Sequence, residues 1–254
     1  MLKTAIVNQK GGVGKTTVTL ELGAQLAITG KKVLLADLDP QANLTSGLGE
    51  KSNTGATVYD LLTNKASFSE TVRETAIENL FLLPAERKLA GLETELVNFD
   101  EKEFLLKKAL KATNDFDYAF FDCPPSLGLL SVNALVAANK VLVPVLCEYY
   151  SLEGLKELLK TIKLVKKYLN HDLSLDGLVF SRFDNRLGLD KYISDSLQNS
   201  FGSAVYKARI PKNVTVAEAA GRGMPASIIF KNCKGSEAYK RLAEEFSEKQ
   251  EAYK

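Results

Sequence analysis

Lys10-Gly11-Gly12-Val13-Gly14-Lys15-Thr16-Thr17 constrains this chain more than any other stretch. It follows an apolar run, Thr4-Ala5-Ile6-Val7-Asn8, of the kind a buried strand requires. It precedes Val18 to Ile28, whose apolar spacing suits a helix. Strand, glycine-rich turn and helix in succession form a cradle for phosphate. Residues without a Cβ let backbone N–H groups turn inward around a polyphosphate, and the helix N-terminus adds a positive dipole end. Lys15 is expected to reach the β- and γ-phosphates, and the Thr16 hydroxyl to ligate Mg²⁺. The common pattern Gly-x-x-x-x-Gly-Lys-Ser/Thr would need glycine at position 9, which is Gln9. The variant Lys-Gly-Gly-x-Gly-Lys-Thr-Thr is met in full.

Further strand-like runs follow at Val33 to Asp37, Leu80 to Leu83, Tyr118 to Asp122, Val141 to Leu146 and Leu178 to Ser181. Their near-continuous apolar character marks strands buried on both faces of a parallel sheet. Helical patterns lie between most of them, at Glu103 to Ala112, Ser131 to Ala138 and Leu152 to Leu169. The expected fold class is α/β: a doubly wound, mainly parallel sheet with helices on both faces. Ligands in such sheets bind outside the C-terminal strand ends. No linker or repeat interrupts the pattern, so residues 1–254 are expected to form one domain. The polar, turn-rich region from Lys51 to Ser69 reads as an excursion from it.

Two acidic constellations fall at strand ends. Asp37-Leu38-Asp39-Pro40-Gln41-Ala42-Asn43 places two carboxylates near the expected phosphates. A strand-end turn capping the next helix would use the same residue types. Phe120-Phe121-Asp122-Cys123-Pro124-Pro125-Ser126 puts a carboxylate after an apolar strand, the Walker B form that serves a Mg²⁺ shell.

Three cysteines, Cys123, Cys147 and Cys233, lack paired metal spacing and suit a reducing compartment. His171 is the single histidine, which makes histidine-based catalysis improbable. No signal segment or membrane-length apolar run is present, so a cytoplasmic protein is expected. The net charge is only +2, but the segment from Lys207 to Arg241 holds eight lysines and arginines against Glu218 and Glu237. A concentrated basic segment of net +6 is what non-specific DNA binding requires. Along Leu152 to Leu169, Lys156, Lys160, Lys163 and Lys167 line one stripe opposite an apolar face of Leu155, Leu158, Leu159, Ile162, Val165 and Leu169. That stripe reads either as a phosphate-tracking surface or as an ordinary solvated face.

Lys10 to Thr17 resembles the deviant Walker A motif of the ParA/MinD ATPases, and the likeness extends along most of the chain, toward the chromosomal ParA (Soj) branch. Ser126-Leu127-Gly128-Leu129-Leu130 and Cys147-Glu148-Tyr149-Tyr150 add to it, with core or rim packing the other reading of the two tyrosines. The resemblance implies a Mg²⁺-dependent ATPase whose signature lysine, Lys10, reaches the partner's phosphates in a nucleotide-sandwich homodimer. It places Asp39 where a residue orients the attacking water, and the segment after Asp122 where the γ-phosphate is sensed. It lays Pro211 and Asn213 of Ile210-Pro211-Lys212-Asn213 against adenine, although a strand-to-turn connection would also use these residues. Arg186 matches a DNA-linked arginine, while Thr215 stands where an arginine is common. Arg186, Lys212 and Arg222 are therefore the expected DNA contacts.

The implied function is DNA partition: an ATP-bound dimer holds double-stranded DNA non-specifically on the nucleoid, and a ParB-type centromere-binding protein stimulates hydrolysis and release. The distance in sequence between Lys10 and the basic segment implies that dimerisation couples ATP to DNA. The chain begins at its first strand, so a helix-turn-helix operator-binding domain is not expected. A MinD-like membrane-associated division-site ATPase is the alternative. The mixed-charge tail Glu248 to Lys254 argues against it, and no stable membrane association is expected. A closing helix is expected from Ser236, with Ala238, Tyr239, Leu242, Ala243 and Phe246 on its buried side. An iron–sulfur electron donor resembling the nitrogenase iron protein would need Cys123 or Cys147 as ligands, and these do not match that family's cysteine motifs. A scaffold without hydrolysis is disfavoured by Asp39 and Asp122.

Overall fold

A computed structural model describes residues 1–51, 54–111, 113, 115–148, 151–184 and 186–252. Tyr149, Tyr150, Asn185, Ala112, Tyr253 and Lys254 lie outside the described residues. The chain opens with β1 (Leu2–Ile6), α1 (Lys15–Ile28) and β2 (Val33–Asp37). The excursion after β2 holds α2 (Asn43–Gly47), α3 (Val58–Leu62) and α4 (Phe68–Thr71), then β3 (Arg73–Glu74) and β4 (Leu80–Leu83). Next come α5 (Leu92–Glu95), α6 (Leu105–Ala109), β5 (Tyr118–Asp122), α7 (Leu129–Ala137) and β6 (Lys140–Val145). They are followed by α8 (Ser151–Tyr168), β7 (Ser174–Phe183), α9 (Gly188–Phe201) and β8 (Val205–Pro211). The last helices described are α10 (Val214–Gly221), α11 (Ala226–Ile229) and α12 (Lys234–Glu251).

The strands form one sheet in the order β3-β4-β2-β5-β1-β6-β7-β8. Among the described residues, only β3 runs antiparallel to its neighbour. The chain winds outward from β1 to β2 and β4, returns to β5, then crosses β1 to reach β6, β7 and β8. This reversal opens a crevice beyond the C-terminal end of β1, where the glycine-rich loop sits.

Most residues of the central strands are apolar and buried, yet neighbours still part by the two-residue pleat. Ala5, Leu34, Ala36, Phe121, Val141 and Val143 join one core, beneath α7 and α8. Ile6, Val33, Leu35, Phe120 and Leu142 join the other, beneath α1 and α12. On α8, Leu155, Leu158, Ile162 and Val165 are buried. The four lysines of its polar stripe, Lys156, Lys160, Lys163 and Lys167, are exposed, as the sequence spacing requires. All five apolar residues expected on the closing helix are buried.

Several elements depart from the sequence reading. The first helix starts at Lys15, three residues early, because Gly14 ends the loop in a left-handed conformation and its carbonyl accepts Val18 N–H at 2.8 Å. The helix expected over Glu103 to Ala112 is shortened to α6 behind a 3₁₀ turn, Lys102–Phe104. Buried Asn133 of α7 takes the Leu106 N–H at 3.1 Å and donates to the Lys102 carbonyl at 2.8 Å, replacing helical bonds there. β8 is an edge strand whose alternating Lys207 and Arg209 hide it from an apolar-run search. Glu245 of α12 accepts its Lys207 and Ala208 N–H groups, which blunts the edge.

Phe246 of α12 is fully buried, with ring centroids 5.5 Å from Phe120 and 5.7 Å from Tyr118. Phe246→Ala is expected to cost about 3–5 kcal/mol through lost contact and a residual cavity. Urea unfolding of parent and variant measures it, and a cost below about 1 kcal/mol would mean that α12 is not bound to the sheet as described.

Candidate functional site

The loop after β1 is held from both sides. Asn8 donates its side-chain amide to the Pro144 carbonyl on β6 at 2.7 Å, and its Oδ1 accepts Lys10 N–H at 3.0 Å. From β7, the Ser181 hydroxyl donates to the Val13 carbonyl. Gly12 and Gly14 have φ of 72° and 92°, the left-handed region where a side chain is strained. A Cβ on Gly11 or Gly12 would meet nothing within 4 Å, so these glycines leave an open hollow in front of the loop. Asn8 and Ser181 were not singled out from sequence. Asn8 was legible as a polar residue ending an apolar strand, whereas Ser181 is a neighbour only because β7 lies two places from β1.

Lys15, the first residue of α1, is 6% exposed and donates to the Lys10 carbonyl at 3.3 Å. Burial lowers its pKa, and the carboxylate of Asp122, the Cys123 thiol and Asp39 act in the opposite direction. Its ammonium is therefore a desolvated cation facing two acids, suited to a polyphosphate. Val13 is buried, and Thr16 and Thr17 are half-buried at the start of α1.

The two strand-tip acids differ. Asp37 and Asp122 are direct register partners on β2 and β5, and both are fully buried. Asp37 accepts Thr45 N–H at 2.8 Å, the Thr45 hydroxyl at 2.7 Å and Asp39 N–H at 3.1 Å. Thr45 in turn accepts Ala85 N–H at 3.0 Å. Asp37 thus anchors α2 to the sheet, and the capping reading holds for it. Burial, partly offset by those hydrogen bonds, raises its pKa from 3.8 to about 6.

Asp122 has no hydrogen bond of ordinary geometry to either carboxylate oxygen. Burial and the Asp37 charge push its pKa well up, while the Thr16 hydroxyl and Lys15 favour the ionised form. An orphaned buried carboxylate beside a hydroxyl and an ammonium is a place for a hard cation. Among the described residues no group of three or more metal-ligating His, Cys, Asp or Glu side chains occurs. Mg²⁺ needs none, since it is normally held by one or two protein oxygens, phosphates and water. Thr16 and Asp122 fit that donor set.

Asp39 is 8% exposed, and its Oδ1 accepts Gln41 N–H at 2.9 Å. Its charge reaches Lys15, so it borders the phosphate hollow without being consumed by α2 as Asp37 is.

A pocket of about 310 Å³ opens beside the loop, walled by Gly12, Gly14, Thr17, Pro211, Asn213 and Tyr239. Pro211 ends β8 and Asn213 caps α10, its Oδ1 accepting Thr215 N–H at 2.8 Å. That oxygen is engaged in the cap. The amide nitrogen is not used by the cap and faces a ligand as a donor.

Pro211 and Lys212 also line a second cavity, a groove of about 740 Å³. Arg186, Arg209, Lys234 and Arg241 line this groove with Asp184 and Glu237. Two of the three expected DNA residues, Arg186 and Lys212, are therefore brought together. The third, Arg222, is not among the groove's lining residues; it pairs with Glu218 at 2.5 Å and packs over Phe230. Arg186 is forked onto Asp184, with Nε to Oδ1 at 2.9 Å, and holds that carboxyl down at about 2. Lys234 and Arg241 enter through the packing of α12 on β8. The basic segment and the phosphate loop, remote in sequence, adjoin in space.

Cys123 and Cys147 are buried, and burial raises both thiols, Cys147 to about 12. Such thiols stay protonated, which suits core packing and not cluster ligation. Lys10 pairs with Glu148, just past β6.

A glycine-cradled phosphate hollow, a buried lysine, an orphaned strand-tip carboxylate and an adjoining base-sized pocket on a doubly wound sheet define a P-loop nucleotide-binding protein. An AAA domain family model matches residues 1–175. Sporulation initiation inhibitor protein Soj of Bacillus subtilis (strain 168) is 48% identical over 243 residues, 95% of this chain and 96% of the relative. Chromosome-partitioning ATPase Soj of Treponema pallidum (strain Nichols) is 47% identical over 247 residues, 96% of this chain and 97% of the relative. Among solved structures, cobyrinic acid a,c-diamide synthase from Mycobacterium smegmatis with ADP and magnesium superposes with a TM-score of 0.87 at 34% identity, covering 100% of this chain and 97% of that one. The septum site-determining protein MinD from Pyrococcus horikoshii OT3 with Mg-ADP gives 0.80 at 27% identity, covering 96% of each. The chain belongs to the Soj/ParA family of chromosome-partitioning ATPases.

Asp37 carries a pH signature. Its folded pKa lies above its unfolded value, so the native state holds the proton longer than the unfolded chain does. Its contribution to stability is expected to fall as pH rises from about 4 to about 6 and to level off above that. Urea titrations of ligand-free protein across this range should show the slope in the parent and a shallower one in Asp37→Asn. Equal slopes would mean that Asp37 does not titrate there.

Proposed function

We propose that residues 1–254 act as one ATPase domain that partitions DNA by switching, with ATP, onto and off the nucleoid. ATPase activity and the use of ATP and Mg²⁺ follow from the family. The wall that Pro211 and Lys212 share between the base-sized pocket and the basic groove is the observation that carries the DNA side of the reading. A bound nucleotide there presses on the same segment that faces the groove.

In this reading the phosphates lie in the hollow before Gly11, Gly12, Val13 and Gly14, with Lys15 as their main cation. Thr16 and Asp122 hold Mg²⁺, which supplies electrostatic stabilisation of the transferring phosphoryl group when bound. Asp39 orients the attacking water. Pro211 and Asn213 receive the base. Lys10 serves the nucleotide of a second copy, so that ATP favours a homodimer. Two basic grooves on one dimer then add their phosphate contacts, because counterion-release terms accumulate. A ParB-type centromere-binding protein stimulates hydrolysis and returns the chain to its monomeric, DNA-free state.

Asp39→Ala is expected to keep ATP and lose turnover by about 10²–10⁴-fold, the loss typical of a proton-handling or water-orienting group. ATP affinity and phosphate release, measured on the same preparation, separate binding from chemistry. Normal turnover would remove Asp39 from the reaction.

For DNA, Lys234→Ala with Arg241→Ala should weaken binding to two unrelated duplexes alike and flatten the salt dependence by about two log-log units. Arg222→Ala should leave both almost unchanged. Gel shifts with ATP, ADP and no nucleotide across salt concentrations decide it, and unaltered binding in the double variant would move the DNA face elsewhere.

A further inference from the structure

Lys10 is held at three points. Its N–H donates to Asn8 Oδ1 at 3.0 Å, and its carbonyl accepts the Lys15 ammonium at 3.3 Å. Its own ammonium pairs with Glu148, 138 residues away on the segment leaving β6. The first contact is structural and survives any ligand. The second cannot persist unchanged, because a polyphosphate in the hollow draws the Lys15 ammonium to itself. The third involves neither Lys15 nor the glycines of the loop. It lies toward solvent, with the two side chains 40% and 53% exposed.

We propose that Glu148 is a positioning residue, the counter-ion that keeps the Lys10 ammonium off phosphate in the free chain and sets the threshold for dimerisation. The proposal rests on the reading that Lys10 serves a second copy's nucleotide. While the chain is alone, Glu148 is the carboxylate that pairs with Lys10 among the described residues. When nucleotide binds, Lys15 leaves the Lys10 carbonyl and the peptide at Lys10 is freed. The side chain stays on Glu148 until another copy presents its triphosphate, which carries more negative charge than one carboxylate. Lys10 then exchanges one anion for the other. Exposure makes the Glu148 pair weak and salt-sensitive, as a reversible hold has to be, since a buried pair would resist exchange. Nucleotide and partner are thus read in sequence, first through the Lys10 carbonyl and then through its ammonium.

The test is the dissociation constant of the dimer formed with Mg²⁺ and the analogue AMPPNP, measured by sedimentation equilibrium at low salt and at about 0.5 M salt. Glu148→Gln is expected to tighten the dimer about three- to tenfold at low salt, because two weak exposed pairs no longer have to open. The gain should vanish at high salt. Glu148→Asp, which keeps the charge, should stay nearer the parent. Glu153→Gln, the same charge change on α8, should leave the constant unchanged. Glu148→Gln dimerising no more tightly than the parent, while Lys10→Ala fails to dimerise, would overturn the counter-ion role and leave Lys10 in place. Lys10→Ala dimerising as well as the parent would overturn the reading of Lys10 itself, and the role of Glu148 with it. An equal gain from Glu153→Gln would reduce the effect to net charge and overturn the proposal.

Discussion

Two carboxyl groups, Asp37 and Asp122, sit side by side at the tips of β2 and β5, out of reach of water. Adjacent strands are about 4.8 Å apart, so two negative charges there repel strongly in a poorly screened interior. The fold meets this unequally. Asp37 receives three hydrogen bonds and becomes part of the scaffold that holds α2 and Ala85. Asp122 receives none of ordinary geometry and depends on the nearby Lys15 and Thr16, and so is left as the group that gains most from a cation. The site's need for Mg²⁺ is thus built into the spacing of a parallel sheet.

The rest of the architecture serves that arrangement. The order β2-β5-β1-β6 puts the phosphate loop of β1 between the acid-bearing strands on one side and the β6 and β7 ends on the other. Asn8 and Ser181 tie the loop to those ends, so the glycines open onto a fixed hollow. β8 delivers Pro211 and Lys212 to the base-sized pocket, and the packing of α12 on β8 brings Lys234 and Arg241 to the groove that Pro211 and Lys212 also line. The basic groove and the base-sized pocket therefore share the segment Pro211-Lys212. Sequence separation between Lys10 and the basic segment does not keep that segment from the loop, because Pro211 and Lys212 line both cavities.

Local sequence determined the elements whose causes are local. The apolar runs fixed six of the eight strands, because strands buried on both faces must be apolar throughout. The glycines, Lys15 and Thr16 fixed the phosphate hollow, because a residue without a Cβ takes positive φ at little cost and can turn its N–H inward. The heptad-like spacing of α8 and α12 fixed which faces are buried. Tertiary structure decided everything whose partner is distant in the chain. Asp37 and Asp39 carry the same chemistry two residues apart, and only the position of Thr45 makes one a scaffold anchor and leaves the other facing Lys15. Arg222 and Lys234 are equally basic in sequence; Arg222 pairs locally with Glu218, four residues back, while the packing of α12 on β8 turns Lys234 into the groove. The Lys10–Glu148 pair spans 138 residues and exists only because β6 lies next to β1. Backbone geometry is written residue by residue, whereas an electrostatic partner is set by which strands become neighbours, and that order emerges only when the whole sheet is assembled.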